Sequence, residues 1–187
     1  MSLSYRSSHI LAGVAIALAF FIGVAGLAAT RANASGLIAP PSKCKSVSGF
    51  GNKAKANKSM LCFTNYAREK SKLKRYRVNP KLKRASLQKA GDILRCDQFS
   101  HQACGRPFEY WIERYGFNGC AMGENIAWGN GSLGTSRSIF IAWMKSSGHR
   151  AAILSREYRM IGIGVKPGTL SGAEGARVWV QHFGAGC

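Results

Sequence analysis

Met160-Ile161-Gly162-Ile163-Gly164-Val165 and Ala176-Arg177-Val178-Trp179-Val180-Gln181-His182-Phe183 decide how this chain folds. The first alternates isoleucine and valine with glycine, and the second is dominated by aromatic and β-branched residues. Both carry the period of a strand, with Gly168 to Gly175 as the loop between them. Upstream the period is helical. Lys58 to about Lys74 offers Leu61, Phe63, Tyr66 and Leu73 to a core. Asn79-Pro80 opens a second helix, a capping side chain followed by proline at the first helical position, which runs to about Cys96 with Leu87, Ala90 and Leu94 on one side. Arg106 to Tyr115 is a third, opened by Pro107 and stopped by Gly116, with Phe108, Trp111, Ile112 and Tyr115 for burial. Thr135 to Ser146 is a fourth, with Ile139, Ala142 and Trp143 at helical spacing and Ser147-Gly148 as its stop. Helices first and a strand pair last predict an α+β fold with an antiparallel sheet, not a doubly wound parallel one.

The start of the chain reads as an export signal. Arg6 and His9 precede an apolar run from Ile10 to Ala29, and Ala32-Asn33-Ala34 supplies the small residues of a cleavage site. Residues 1–34 are therefore expected to be a signal peptide. The same run of 20 residues, at about 1.5 Å each, is long enough to span a bilayer, so the alternative is a membrane anchor through residues 10–29. Residues 35–58, rich in Gly, Ser, Pro, Lys and Asn, read as an irregular basic arm, and residues 59–187 as the folded domain.

All six cysteines lie beyond the leader. An even number in an exported chain reads as three disulfides, and no C-x-x-C pair argues for a metal cluster. Six cysteines allow about 15 pairings, among which sequence does not choose. Chain proximity suggests Cys44–Cys62 and Cys96–Cys104, leaving Cys120–Cys187. Each should stabilise the domain by roughly 2–4 kcal/mol.

The charge is lopsided: 27 Lys and Arg against eight Asp and Glu. Between Lys43 and Arg95 stand 16 basic residues and two acids, Glu69 and Asp92. Such a surface attracts anionic lipids or cell-wall polymers with strong salt dependence, or it serves only as a solvated face. Export separates the protein from nucleic acid, which is not expected as a partner.

Three histidines lie beyond the leader: His101, His149 and His182. His101 follows the second helix, Glu124 sits in a glycine-led turn entering an extended piece, and His149 follows the fourth helix. Element ends are where functional side chains collect. Two imidazoles and a carboxylate can hold a divalent metal such as zinc with an open position, or act as an acid–base set. Their spacings of 23 and 25 residues match no compact metal motif, and there is no H-E-x-x-H and no G-x-S-x-G. The plainer reading makes Glu124 a turn cap and the histidines ordinary half-buried polar residues. With the cysteines oxidised, no thiolate is left for nucleophilic chemistry.

Phe99-Ser100-His101, Gly123-Glu124-Asn125-Ile126-Ala127-Trp128-Gly129, Ala142-Trp143-Met144 running into Ser147-Gly148-His149-Arg150-Ala151-Ala152-Ile153-Leu154, Ile161-Gly162-Ile163-Gly164-Val165 and Trp179-Val180-Gln181-His182-Phe183-Gly184 fall in one order. In that order and spacing, from roughly Ser59 to Gly184, the chain resembles the CAP superfamily, and its bacterial branch in particular. That superfamily comprises the cysteine-rich secretory proteins, the antigen 5 venom proteins and the plant pathogenesis-related proteins. The resemblance implies an α-β-α sandwich, a central antiparallel sheet flanked by helices, with a surface cavity lined by two histidines and two acids. His101, Glu124 and His149 match three of those positions. The fourth falls near Ser146, in Lys145-Ser146-Ser147, where there is no acid, so any zinc would be held weakly. Asn125 and Gln181 are expected to line the cavity instead.

Activities across the superfamily are mostly not enzymatic, and fold membership leaves function open. The first expectation is a secreted binding module for lipid or anionic envelope material. The alternative is a weak hydrolase using His101, Glu124 and His149, with or without zinc. The cysteine arithmetic makes a direct prediction: thiol labelling of the unfolded, unreduced protein gives no signal. Any labelled cysteine breaks the three-disulfide reading.

Overall fold

The computed structural model describes residues 34–47 and 52–187. The leader lies outside them except for its last residue, Ala34. Among the described residues the elements are helix α1 (Lys53–Lys70), strand β1 (Arg77–Val78), helix α2 (Pro80–Arg95), helix α3 (Glu109–Arg114), strand β2 (Ala121–Gly129), helices α4 (Ser136–Lys145) and α5 (Ser147–Ile153), and strands β3 (Met160–Leu170) and β4 (Ala173–Ala185). The sheet order is β1-β3-β4-β2. The three long strands are antiparallel and β1 adds two residues in parallel to β3. Helices cover both faces, which makes the molecule an α-β-α sandwich.

Strand alternation builds the two layers. On one face Ile161, Ile163, Val165, Trp179 and Phe183 pack with Met60 and Phe63 of α1 and with Phe140 and Trp143 of α4. On the other, Val178 and Val180 meet Ala90 and Ile93 of α2. Between the isoleucines, Gly162 and Gly164 turn toward α2. A Cβ on Gly162 would overlap the backbone of Leu82, and one on Gly164 would lie 2.6 Å from Ser86 C and Leu87 N. The glycine alternation is therefore a groove for a helix, and it brings α2 down to backbone contact with β3.

Several boundaries differ from the sequence expectation. Helix α1 begins at Lys53, not Lys58, because the Asn52 side chain accepts from Lys55 N and caps it. The arm ahead of it is packed where described. Ala39 and Cys44 are buried, Val47 bonds Ser136 through its backbone N–H, and Arg137 donates to Ala39 O. The strand loop is shorter than expected. Ser171 and Gly172, both at positive φ (49° and 75°), make the whole turn, as two-residue hairpins require. Asp97 Oδ1 accepts from Ser171 N and ties the hairpin tip to the end of α2. Ser147-Gly148 does not end the helical region. Ser146 is extended, closes α4, and starts α5 at the next residue.

The disulfides are Cys44–Cys62, Cys96–Cys104 and Cys120–Cys187, and among the described residues no cysteine is free. They fasten the arm to α1, close the loop after α2, and tie the last residue to the start of β2.

Because α2 rests on bare backbone, Gly162→Ala or Gly164→Ala should each destabilise the protein by at least about 1–3 kcal/mol, the order for overpacked cores. Gly148→Ala, with open space around its Cβ, should be neutral or slightly stabilising. Urea midpoints at constant slope measure the difference. Equal midpoints for the three variants would refute the close-approach argument.

Candidate functional site

β2 is an edge strand, and its two neighbouring polar residues point to opposite layers. Glu124 pairs in register with His182 on the α2 side, and Asn125 with Gln181 on the α1 side. Each fastens one wall of a cavity of about 530 Å³ that straddles the strand. His101, Glu124, Asn125, Ser146 and His149 all line it, with Phe108 and Tyr158 among its apolar surfaces.

On the α2 side, His101 Nδ1–H donates to Glu124 Oε1 (2.6 Å) and His182 Nε2–H to Oε2 (2.8 Å). The Glu124 side chain is 1% exposed and that of His182 0%. Burial pushes this carboxyl upward. The hydrogen bonds from His101 and His182, with the charges of His182 and Lys89, outweigh it and hold the group below its ordinary value. Glu124 is thus a buried carboxylate kept charged by its partners. His101 is set by its loop. Cys96–Cys104 closes that loop, and the buried Lys89 of α2 donates Nζ–H to the carbonyls of His101 and Arg106. The other side of the loop rests on the buried Asp92, which accepts from Arg95, Arg106 and Trp111 Nε1.

On the α1 side, Asn125 Nδ2–H donates to His149 O (3.1 Å) and to Gln181 Oε1 (3.3 Å). Gln181 Nε2–H donates to Thr64 Oγ1 (3.0 Å). A buried polar chain therefore runs from the cavity wall to α1. Gln181 is fully buried one step behind the cavity and does not line it, which corrects the expectation for that residue. Trp143 Nε1–H reaches Ile126 O and packs beside the His149 ring. Burial lowers the His149 pKa from 6.5, and the charge of His101 lowers it further.

Glu124 lies inside a strand and His149 inside a helix, not at element ends. The spacing of His101, Glu124 and His149 points to neither His182 nor Lys89. A signal for His182 existed: it shares strand parity with Val178 and Val180, and an imidazole buried in such a face needs a partner. Lys89 carried none, because a lysine in a basic helix reads as exposed.

A zinc centre needs about three protein donors facing one point. Both Glu124 oxygens accept from histidines, Ser146 in the cavity wall is not an acid, and among the described residues no three His, Cys, Asp or Glu side chains are arranged to hold a metal ion. The residues do not fit such a centre.

The model of the cysteine-rich secretory protein family, CAP, matches residues 61–183. This chain belongs to that family. It is 31% identical over 128 residues to the uncharacterised protein YkwD of Bacillus subtilis, a match covering 67% of this chain and 46% of that one. The chain thus spans about half the length of the curated relative it matches. Its fold is similar to an extracellular SCP-domain protein of Bacillus anthracis (TM-score 0.61, 19% identity, 71% of this chain and 41% of that one). It is also similar to an outer surface protein of Borrelia burgdorferi (TM-score 0.62, 18% identity, 74% and 100%). Among the described residues no helix is long and apolar enough to cross a membrane.

The shifted groups predict how acid acts. His149 folds with its pKa below 6.5, so the unfolded chain takes up that proton first and stability falls as pH drops through 6.5 toward the folded value. Glu124 folds with its pKa below 4.5, so its contribution is present above 4.5 and is lost as pH falls further. Thermal unfolding from pH 8 to 3 should show both stages, and His149→Gln should flatten only the upper one. Superimposable profiles for wild type and variant between pH 7 and 5 would contradict this assignment.

Proposed function

We propose that this protein is an extracellular binding module whose basic surface engages anionic envelope material, either acidic lipid surfaces or phosphate-bearing wall polymers. The observation that carries this reading is the placement of charge. Of the 16 basic residues between Lys43 and Arg95, all but Arg68 and Lys89 are exposed. Of the two acids, Asp92 is buried, and Glu69 is paired with Arg75 at 3.2 Å. Asp92 also pairs with Arg95, and among the described residues the other exposed cations of this stretch make no ion pair. Lys58 of α1 and Lys83 of α2 meet at one apolar groove beside Val78, so helices from opposite layers present lysines to the same edge. Charges so arranged act together over about 8–10 Å at physiological salt. The disulfides and the extracellular and outer-surface descriptions of the structural relatives support a site of action outside the cytoplasm.

Hydrolysis by His101, Glu124 and His149 has less support. Among the described residues that line the cavity, the Ser146 hydroxyl makes no hydrogen bond to either histidine and the Tyr158 hydroxyl donates to Met122 O, so neither is paired with a base. Glu124 is already a doubly engaged acceptor.

Co-sedimentation with anionic vesicles or purified wall fragments tests the proposal. Binding should be strong at low salt and should fade steeply as salt is added. His101→Ala/His149→Ala should leave it nearly unchanged. No binding at low salt sinks the proposal, and binding that is indifferent to salt yet lost in the double variant moves the working site to the cavity.

A further inference from the structure

The end of α1 and the segment between α5 and β3 border an open surface pocket of about 170 Å³. Arg68, Lys72, Leu73, Lys74, Arg156 and Arg159 line it. Five of these six are cationic and none is acidic. The acids nearest in sequence, Glu69 and Glu157, are not part of the lining, and Glu69 is engaged by Arg75. Among the described residues none of the five cations is ion-paired with an acid.

The walls are held in place before any ligand arrives. Arg68 is 1% exposed, and its guanidinium stacks 3.6 Å over the Tyr76 ring. Its Nε–H donates to Lys74 O at 2.7 Å, and its Nη1 group donates to Ile153 O and Ser155 O, both at 2.8 Å. One buried cation therefore clamps both walls, the turn after α1 and the chain leaving α5. Burial lowers the Arg68 pKa, and the charge of Arg159 acts in the same direction; a guanidinium still stays charged. Lys72 stands at φ 56°, where Lys72 N–H bonds Glu69 O and Leu73 N–H bonds Arg68 O to close the helix. Glycine is the usual residue in that left-handed position. Here a lysine takes it and adds a charge to the pocket.

Like charges gathered around a small pocket without an acid repel one another, and an anion relieves that repulsion. Guanidinium forks together with ammonium groups match the several oxygens of a phosphoryl group, and five cations exceed what a single carboxylate would offset. We infer that the pocket formed by Arg68, Lys72, Lys74, Arg156 and Arg159 is a binding site for a phosphoryl group, a phosphate monoester or diester. This rests on the envelope-binding reading above and gives it a chemical group and a place, separate from the histidine cavity.

Inorganic phosphate and glycerol 3-phosphate, titrated in chloride buffer at low salt and followed by amide chemical shifts, test the inference. The shifts should concentrate at residues 72–74 and 156–159. Lys72→Gln/Lys74→Gln/Arg156→Gln should weaken binding by about tenfold or more. Lys43→Gln/Lys53→Gln/Lys55→Gln, which removes the same charge at exposed positions away from the pocket, should change it by no more than about twofold. The wild-type shift map stands by itself should the first variant fold poorly. No phosphate binding, shifts spread over the basic surface, or equal weakening in both variants overturns the site. Wall fragments and phosphatidylglycerol vesicles then separate the sources of the phosphoryl group, the pocket variant losing most on the true one. Salt-sensitive co-sedimentation without phosphate binding would reject the pocket and leave the general reading standing. Phosphate bound in the pocket without any co-sedimentation would do the reverse.

Discussion

The approach of α2 to β3 over Gly162 and Gly164 is the constraint on which the rest of the molecule depends. Without side chains at those positions the helix comes down to the backbone of the strand. That height decides where the end of the helix delivers the chain. Lys89 and Asp92, on the buried side of α2, then hold the loop that carries both His101 and Arg106. A helix held one side chain further out would leave Glu124 without its first imidazole. Burying Lys89 and Asp92 is costly unless each is fully hydrogen-bonded, and here both are joined to the same short stretch of chain.

The cavity follows from two adjacent residues on an edge strand. Because strand side chains alternate, Glu124 and Asn125 cannot serve the same layer. Glu124 fastens His101 and His182 on one side, and Asn125 fastens the backbone of His149 on the other. The two histidines that face each other across the cavity thus belong to different layers, and β2 is the seam between them. Both oxygens of the carboxylate are committed, so Glu124 organises the site and is not an open ligand. Ser146 lines the cavity with His149, so that wall adds no second carboxylate.

The basic surface is a separate property of the same fold. It arises because the apolar faces of α1 and α2 are turned to the sheet, which leaves their lysines and arginines outward. Family membership defines the scaffold and says little about what the scaffold binds. The distribution of charge and the cation-lined pocket at the end of α1 are features of these particular residues. They give the domain two chemically different faces: a half-apolar cavity organised by histidines, and an electropositive exterior.

Much of this was legible from local pattern. The strand period at Met160–Val165 and Ala176–Phe183, the cap at Asn79-Pro80 and the excess of lysine act over a few residues, so the sequence by itself determined the element types, the antiparallel pairing of the last two strands and the positive exterior. It also brought forward three residues that line one cavity, His101, Glu124 and His149, because they stand in motifs that keep their order. Tertiary structure decided the rest. That Ser146 restarts a helix, that Lys89 is buried, that His182 completes the grip on Glu124, and that Gln181 stands behind the cavity all depend on contacts between residues far apart in the chain. Hydrogen bonds such as His182 to Glu124, 58 positions apart, and Gln181 to Thr64, 117 apart, exist only once register and layer are set. Periodicity reports which face a side chain takes, whereas the partner it meets there is fixed by the packing of the other layer.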